Sequence, residues 1–295
     1  MGSFSVARDR RAFVRAVLAR EVLRDAALAL HRRGLPLVPL KGVLFQQLLY
    51  HQPEERQLTD IDVLVREGDF YVAIAALRVA GFEPQQVTRS GIGMTLRSPR
   101  GMILDLHRRL FSRARYRLST ELIFARARRD VELLGAPVDL AHPHDIAAHL
   151  VGKMVSDHVV HERLPRLTEL LRWVKHQRLD PTELAAHLQA HGLGRAARYV
   201  LACGTALLGD DFFRQVTEAL PADPLGTACA RVARTLIPRW EGTPLAAVPA
   251  HLLNASLPRA AASMVFVAAQ RWRQPRPPCH VAPGPGLPGE RSSPR

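Results

Sequence analysis

The segment Asp60–Ile61–Asp62–Val63–Leu64–Val65 sets two carboxylates into a run of β-branched and aliphatic residues, the composition of a central strand. Side chains alternate faces along a strand, so Asp60 and Asp62 project to one side, about 7 Å apart along the chain. Ile61, Val63 and Val65 point to the other side, into packing against helices. Two carboxylates on one face of an apolar strand repel each other and raise each other's pKa when no cation intervenes. Magnesium relieves that cost, because hard divalent cations take oxygen ligands and Mg²⁺ is held by one or two carboxylates plus substrate phosphates. Two such ions stabilise the attacking and the leaving oxygen of an in-line phosphoryl displacement.

The surrounding chain supplies a sheet for that strand. Apolar residues Phe13, Val14, Val17, Leu18, Val22, Leu23 and Ala26 recur at helical spacing over 6–33, and Gly34 and Pro36 close that helix. Leu37–Val38–Pro39–Leu40 reads as a short strand, and Lys41–Gly42 opens a helix reaching about Tyr50. A helix over 69–80 ends at Gly81, and strands follow over 82–87, 94–98 and 102–107, with a turn at Pro99–Arg100–Gly101. A last hairpin joins Val131–Glu132–Leu133 to Val138–Asp139–Leu140 around Gly135–Ala136–Pro137. After Pro143 every segment to about Arg273 reads as helix, broken at Pro165, Pro181, Gly192, Gly209, Pro221, Pro238 and Pro258. Strands with helices first and helices alone afterwards predict an α+β class. The expected organisation is an N-terminal helix (1–34), a catalytic domain (35–141), a helical domain (142–273) and a disordered tail (274–295) rich in Pro, Gly, Ser and Arg.

An isolated Asp-x-Asp is common in surface strands and turns. A third carboxylate makes the pattern specific: Asp105 lies in the apolar run Met102–Ile103–Leu104–Asp105–Leu106–His107, on the face it shares with Ile103 and His107.

These residues resemble the uncharacterised nucleotidyltransferase family of the DNA polymerase β-like superfamily. Its members carry an apolar strand ending in Leu-Lys-Gly, then Arg, then Asp-Ile-Asp-Leu-Leu-Val, and later an acidic-Leu-His segment. Here these are Val38–Pro39–Leu40–Lys41–Gly42, Arg56, Asp60–Ile61–Asp62–Val63–Leu64–Val65 and Asp105–Leu106–His107. The match covers about residues 35 to 180, its later part loosely. The resemblance implies a polymerase β-like mixed sheet carrying the metal site, with Asp60, Asp62 and Asp105 as ligands of Mg²⁺, or of Mn²⁺ in its place. Most of the superfamily has Gly-Ser or Gly-Gly after the first strand, where this chain has Lys41–Gly42–Val43. Phosphate contact then falls to the backbone N–H groups of that helix start, which bind anions well, and to Lys41. The superfamily also uses a basic residue from its helical part on the triphosphate, which points to Lys153.

Other residues keep two readings. Lys41 suits a phosphate oxygen or, equally, a solvent-facing helix start. Arg56 suits a clamp on the triphosphate or a salt bridge, including one to Asp60 or Asp62. The stretch from His142 to His161 holds five histidines, with His149 and Lys153 on one helix face. Zinc is the rival reading there, although the tight H-E-x-x-H arrangement is missing. Asp130, Asp139, Asp180 and Asp223 fit turns and caps. Trp173, Trp240 and Trp272 fit packing, and Cys203 and Cys229 fit buried, inert thiols.

The formal net charge is +14, carried almost wholly by Arg, since Lys appears only at 41, 153 and 175. A basic surface attracts phosphate-bearing ligands and raises their encounter rate. Three cysteines are too few and scattered for a disulfide framework, and no stretch approaches the roughly 18 apolar residues of a membrane span. Cytoplasmic residence is the expectation. The sequence thus predicts a Mg²⁺-dependent nucleotidyltransferase that moves an NMP or phosphoryl group from an NTP such as ATP to an acceptor. A small molecule, peptide or protein acceptor is expected first. The alternatives are an RNA acceptor, as for a transfer-RNA-modifying toxin, and a catalytically inactive binding module.

Overall fold

The computed structural model describes residues 3–52, 55–87, 91–112, 115–156, 163–239 and 251–254, with single residues at 258, 261 and 265. Helix α1 (Ser3–His31) buries Ala19, Val22, Leu23, Ala26, Ala27 and Leu30 at three- and four-residue spacing. It ends where Gly34 turns to φ +67 and the Leu35 N–H reaches back to the Leu30 carbonyl. The expected stripe is only partly right: Phe13, Val14 and Val17 are exposed, and the buried face of that stretch is made by Ala16 and Ala19.

Strand β1 (Val38–Pro39) leads into α2 (Lys41–Leu49) and then into β2 (Asp60–Leu64). Helix α3 (Phe70–Val79) crosses to β3 (Glu83–Val87), β4 (Gly93–Arg97) and β5 (Ile103–His107). The sheet order is β1-β2-β5-β4-β3, with β2 and β5 parallel and the other pairs antiparallel. Pro39 is tolerated because β1 is an edge strand, where no ladder donor is required. The sheet is therefore mixed, and its one parallel pair lies at the centre.

Helix α4 (Thr120–Arg126) was not anticipated; the Ser119 hydroxyl caps it by accepting from the Leu122 N–H. The hairpin β6 (Arg128–Leu133) and β7 (Ala136–Leu140) forms as expected, with a tighter turn. Its turn is Leu134–Gly135, at φ +56 and +76, the two positive φ values of a type I′ turn. Ala136 and Pro137 already belong to β7. The Asp139 N–H donates to the Leu37 carbonyl, which ties this hairpin to the edge of the main sheet.

Six helices follow among the described residues: α5 (Pro143–Ser156), α6 (Arg163–His176), α7 (Pro181–Ala190), α8 (Gly194–Leu208), α9 (Asp211–Ala219) and α10 (Pro224–Arg239). Asp180 caps α7 with Pro181 at its first position, and Gly209 ends α8 at φ +64. Two expected breaks fall inside helices. Pro165 sits in the first turn of α6, where its missing N–H costs nothing, and Pro238 lies within the last turn of α10. Helix α6 docks on α2 through Phe45 and Trp173, whose ring centroids are 5.2 Å apart. Continuation of helix to residue 273 lies largely outside the described residues, and the tail 274–295 wholly so. No described helix is long and apolar enough to cross a membrane.

Candidate metal centre

The parallel register of β2 and β5 sets Asp62 directly opposite Asp105 and Asp60 opposite Ile103. Because β-strand side chains alternate, all three carboxylates rise from the same face. One oxygen from each of Asp60, Asp62 and Asp105 lies within 4.8 Å of the others, and this is the one such group of metal-binding side chains among the described residues. Residues 43 positions apart in sequence become neighbours only through this pairing.

The three carboxylates differ in environment. Burial opposes ionisation of Asp62, but His107 Nε2 at 3.0 Å from its Oδ1 and the charges of Lys41 and Lys153 hold its carboxyl far below the usual carboxylate range. Lys41 Nζ stands 3.5 Å from the other oxygen, Oδ2. Burial and then the charge of Asp62, with a smaller push from Asp105, raise the Asp60 carboxyl, while Thr59 and Lys41 pull it the other way. The Thr59 hydroxyl donates to Asp60 Oδ1 at 2.9 Å, and the Thr95 hydroxyl to Asp105 Oδ1 at 2.7 Å. The protein therefore orients each carboxylate and offsets the repulsion at Asp60 only in part. A cluster of hard oxygen donors with residual negative charge fits a divalent cation.

The backbone that carries Lys41 is fixed by the sheet. The Leu40 N–H donates to the Asp62 carbonyl at 3.0 Å, so the residue before Lys41 is tied to the strand that carries the carboxylates. Gly42 then adopts φ +44 and ψ −110, a conformation open to glycine, and the regular helix starts beyond it. The expected helix start at Lys41–Gly42 is thus a kink followed by a helix, with Val43, Leu44, Phe45 and Gln46 buried behind it.

Of the two readings of Arg56 the structure shows a salt bridge, to a partner outside the carboxylate cluster. Its guanidinium is bound to Glu169 on α6, with Nη2 3.3 Å from Oε2, and Tyr50 reaches the same carboxylate. It does not pair with Asp60 or Asp62, because the loop carries it toward the helical part. Lys153 and His149 of α5 do come near the centre: Lys153 acts electrostatically on Asp62 and His149. His149 is buried, with both ring nitrogens lacking a partner, and burial together with Lys41 and Lys153 drives its pKa well below the usual histidine value.

The zinc reading of the histidine stretch gains no ligand set among the described residues. Asp145 is buried and bound by the Arg126 guanidinium, with His187 Nε2 at 3.1 Å from its Oδ1. His142 and His144 stack beside this pair, and His191 meets His187. Asp157, His158 and His161 lie outside the described residues. Asp180 caps α7 and Asp223 receives the Gly226 N–H, as expected. Asp139 is instead a buried strand residue whose carboxylate accepts the Asp130 N–H.

Three residues of the centre were not assigned a part from sequence: His107 as the partner of Asp62, Thr59 and Thr95. His107 carried a usable signal, standing two residues after Asp105 on the same strand face. Thr95 carried none, since only the β4–β5 pairing opposite Asp105 brings it near. Beside Asp105 opens a groove of about 520 Å³ lined by Gln85, Gln86, Thr95 and Ile103.

A family model described as "Uncharacterised nucleotidyltransferase" matches residues 7–209. Among solved structures, the crystal structure of an antigenic nucleotidyltransferase-like protein from Paracoccidioides brasiliensis is similar at 15% identity, covering 55% of this chain and 74% of that one with a TM-score of 0.34. A search of curated proteins found no match.

Proposed function

The chain belongs to the uncharacterised nucleotidyltransferase family, and on that premise we propose that it transfers an NMP group from an NTP to an acceptor in a divalent-metal-dependent reaction. The observation that carries this reading is the convergence of Asp60, Asp62 and Asp105 within 4.8 Å. These three residues hold Mg²⁺, or Mn²⁺ in its place. When bound, the metal polarises the reacting phosphate and neutralises the charge that develops on it.

The rest falls to the chain's own residues. Lys41 and the N–H groups beyond the Gly42 kink take phosphate oxygens, helped by the positive end of α2, and Lys153 adds a second ammonium from α5. The acceptor approaches from the groove beside Asp105, which takes its proton as the acceptor oxygen attacks the α-phosphate and pyrophosphate leaves. Thr95 keeps Asp105 turned toward that groove. Catalysis is then chiefly positioning and charge neutralisation. The helices from Pro143 onward form one wall of the cleft and select the acceptor, so that residues 35–141 and 142–273 act as catalytic and helical units in a cytoplasmic protein.

A small molecule, peptide or protein serves as acceptor in this reading; the net charge of +14 favours RNA as the second possibility. An inactive binding module is disfavoured by the intact triad of Asp60, Asp62 and Asp105, since an idle site gains nothing from keeping repelling carboxylates. Incubation with each labelled NTP, Mg²⁺ and fractionated acceptor pools tests the chemistry. Pyrophosphate release that disappears in Asp62→Asn supports it; no release with any NTP and pool counts against it.

A further inference from the structure

Resting on that reading, we propose that Lys41 competes with the metal for Asp62, so that metal and nucleotide bind cooperatively and the metal alone binds weakly. Asp62 has two oxygens, and His107 Nε2 occupies one of them, Oδ1, at 3.0 Å. The Lys41 ammonium stands 3.5 Å from the other oxygen, Oδ2. A cation that takes Asp62 as ligand meets a resident cation on the same carboxylate.

The two ends of Lys41 have different freedom. Its backbone lies between the Leu40 N–H bound to the Asp62 carbonyl and the kink at Gly42, so the stem starts from a fixed point beside the carboxylates. Its ammonium sits at the end of a flexible four-carbon chain, and its side chain is 21% exposed, leaving a way out. The distance of 3.5 Å is that of an ion pair in contact rather than a short, locked hydrogen bond. Displaced by a metal and with no anion at hand, the ammonium loses its partner. With a triphosphate in the cleft it gains another at once, on a phosphate oxygen. The cost of displacement is thus offset only when nucleotide is present, and linkage makes the effect reciprocal: whatever nucleotide does for metal affinity, metal does for nucleotide affinity.

This account predicts opposite changes from one substitution. Lys41→Gln binds Mn²⁺ alone roughly tenfold more tightly than the wild type, equivalent to about 1.4 kcal/mol. The same variant binds inorganic triphosphate more weakly at saturating Mn²⁺, and Lys41→Arg keeps wild-type behaviour in the first assay. Arg15→Gln is the control for general charge relief, because its guanidinium holds the Leu58 and Thr59 carbonyls just before Asp60 without contacting the carboxylates. Mn²⁺ is titrated by electron paramagnetic resonance and triphosphate by calorimetry, with Lys41→Met as a second uncharged variant. Tighter Mn²⁺ binding with weaker triphosphate binding in the Lys41 variants, and little change in Arg15→Gln, supports the proposal. Unchanged or weaker Mn²⁺ binding in Lys41→Gln, or an equal gain in Arg15→Gln, overturns it while leaving the metal site standing. Wild-type protein that binds Mn²⁺ no better than Asp62→Asn even with triphosphate present overturns the metal reading and this proposal together.

Discussion

His107 Nε2 lies 3.0 Å from Asp62 Oδ1, between adjacent strands whose parallel register sets His107 opposite Leu64 and Asp62 opposite Asp105. The bond leaves the second oxygen of the Asp62 carboxylate beside Lys41. Outer partners of this kind orient metal ligands, and their loss typically costs about 10–100-fold in metal affinity or activity. His107→Phe is expected to lose that much Mn²⁺ affinity while His107→Asn recovers part of it. Equal Mn²⁺ titrations for both variants and the wild type contradict this role.

Asp60 and Asp62 are two residues apart on one strand, yet their substitutions should move stability in opposite directions without metal. Asp60 is repelled by Asp62 and Asp105, so Asp60→Asn relieves strain and raises the melting temperature. Asp62 is held by His107 and Lys41, so Asp62→Asn loses charge-assisted bonds and about 1–3 kcal/mol of stability. Added Mn²⁺ then raises the wild-type melting temperature by mass action and leaves Asp62→Asn unchanged. Melting curves with EDTA and with Mn²⁺ decide all three points.

Much of this centre was legible in the chain. Period-two alternation placed Asp60 with Asp62, and Asp105 with His107, because that rule is local. The order of strands was not local: Thr95 and Asp105 meet across β4 and β5, and nothing in either segment specifies its neighbour. The partner of Arg56 was hidden for the same reason, since Glu169 lies 113 residues away. The kink at Gly42 was missed because Lys-Gly before an apolar run resembles a helix start, and only the tie from Leu40 to Asp62 forces the chain to turn.

Arg56 and Glu169, both largely buried, join the loop before β2 to α6. Arg56→Gln and Glu169→Gln should each destabilise the protein, and the double variant should lose less than their sum, with a coupling of about 0.5–3 kcal/mol. Denaturant unfolding of the four proteins measures it. Strict additivity shows that the pair contributes no coupling.

Acidification should weaken the helical part. Burial, then the neighbouring histidines and Arg126, push His144 and His191 down to about 4, against 6.5 for an unperturbed histidine. His142 is lowered as well; Asp145 opposes all three shifts, and Glu183 that of His142. Between about pH 6.5 and 4 the unfolded chain therefore binds more protons than the folded one. Stability contributed by these neutral histidines is full above that window and is lost as the pH falls through it. The double variant His144→Gln, His191→Gln should show a shallower fall in melting temperature from pH 7 to 4, and an identical slope removes this cluster as the cause.

The central claim is that Asp60, Asp62 and Asp105 bind nucleotide through a divalent metal. Equilibrium dialysis of the wild type and a folded Asp62→Asn variant against each of the four NTPs, with Mg²⁺ and with EDTA, tests it directly. The account predicts that at least one NTP binds the wild type in Mg²⁺, and that this binding disappears in EDTA and in the variant. No binding of any NTP in Mg²⁺, or binding that persists unchanged in EDTA, contradicts it.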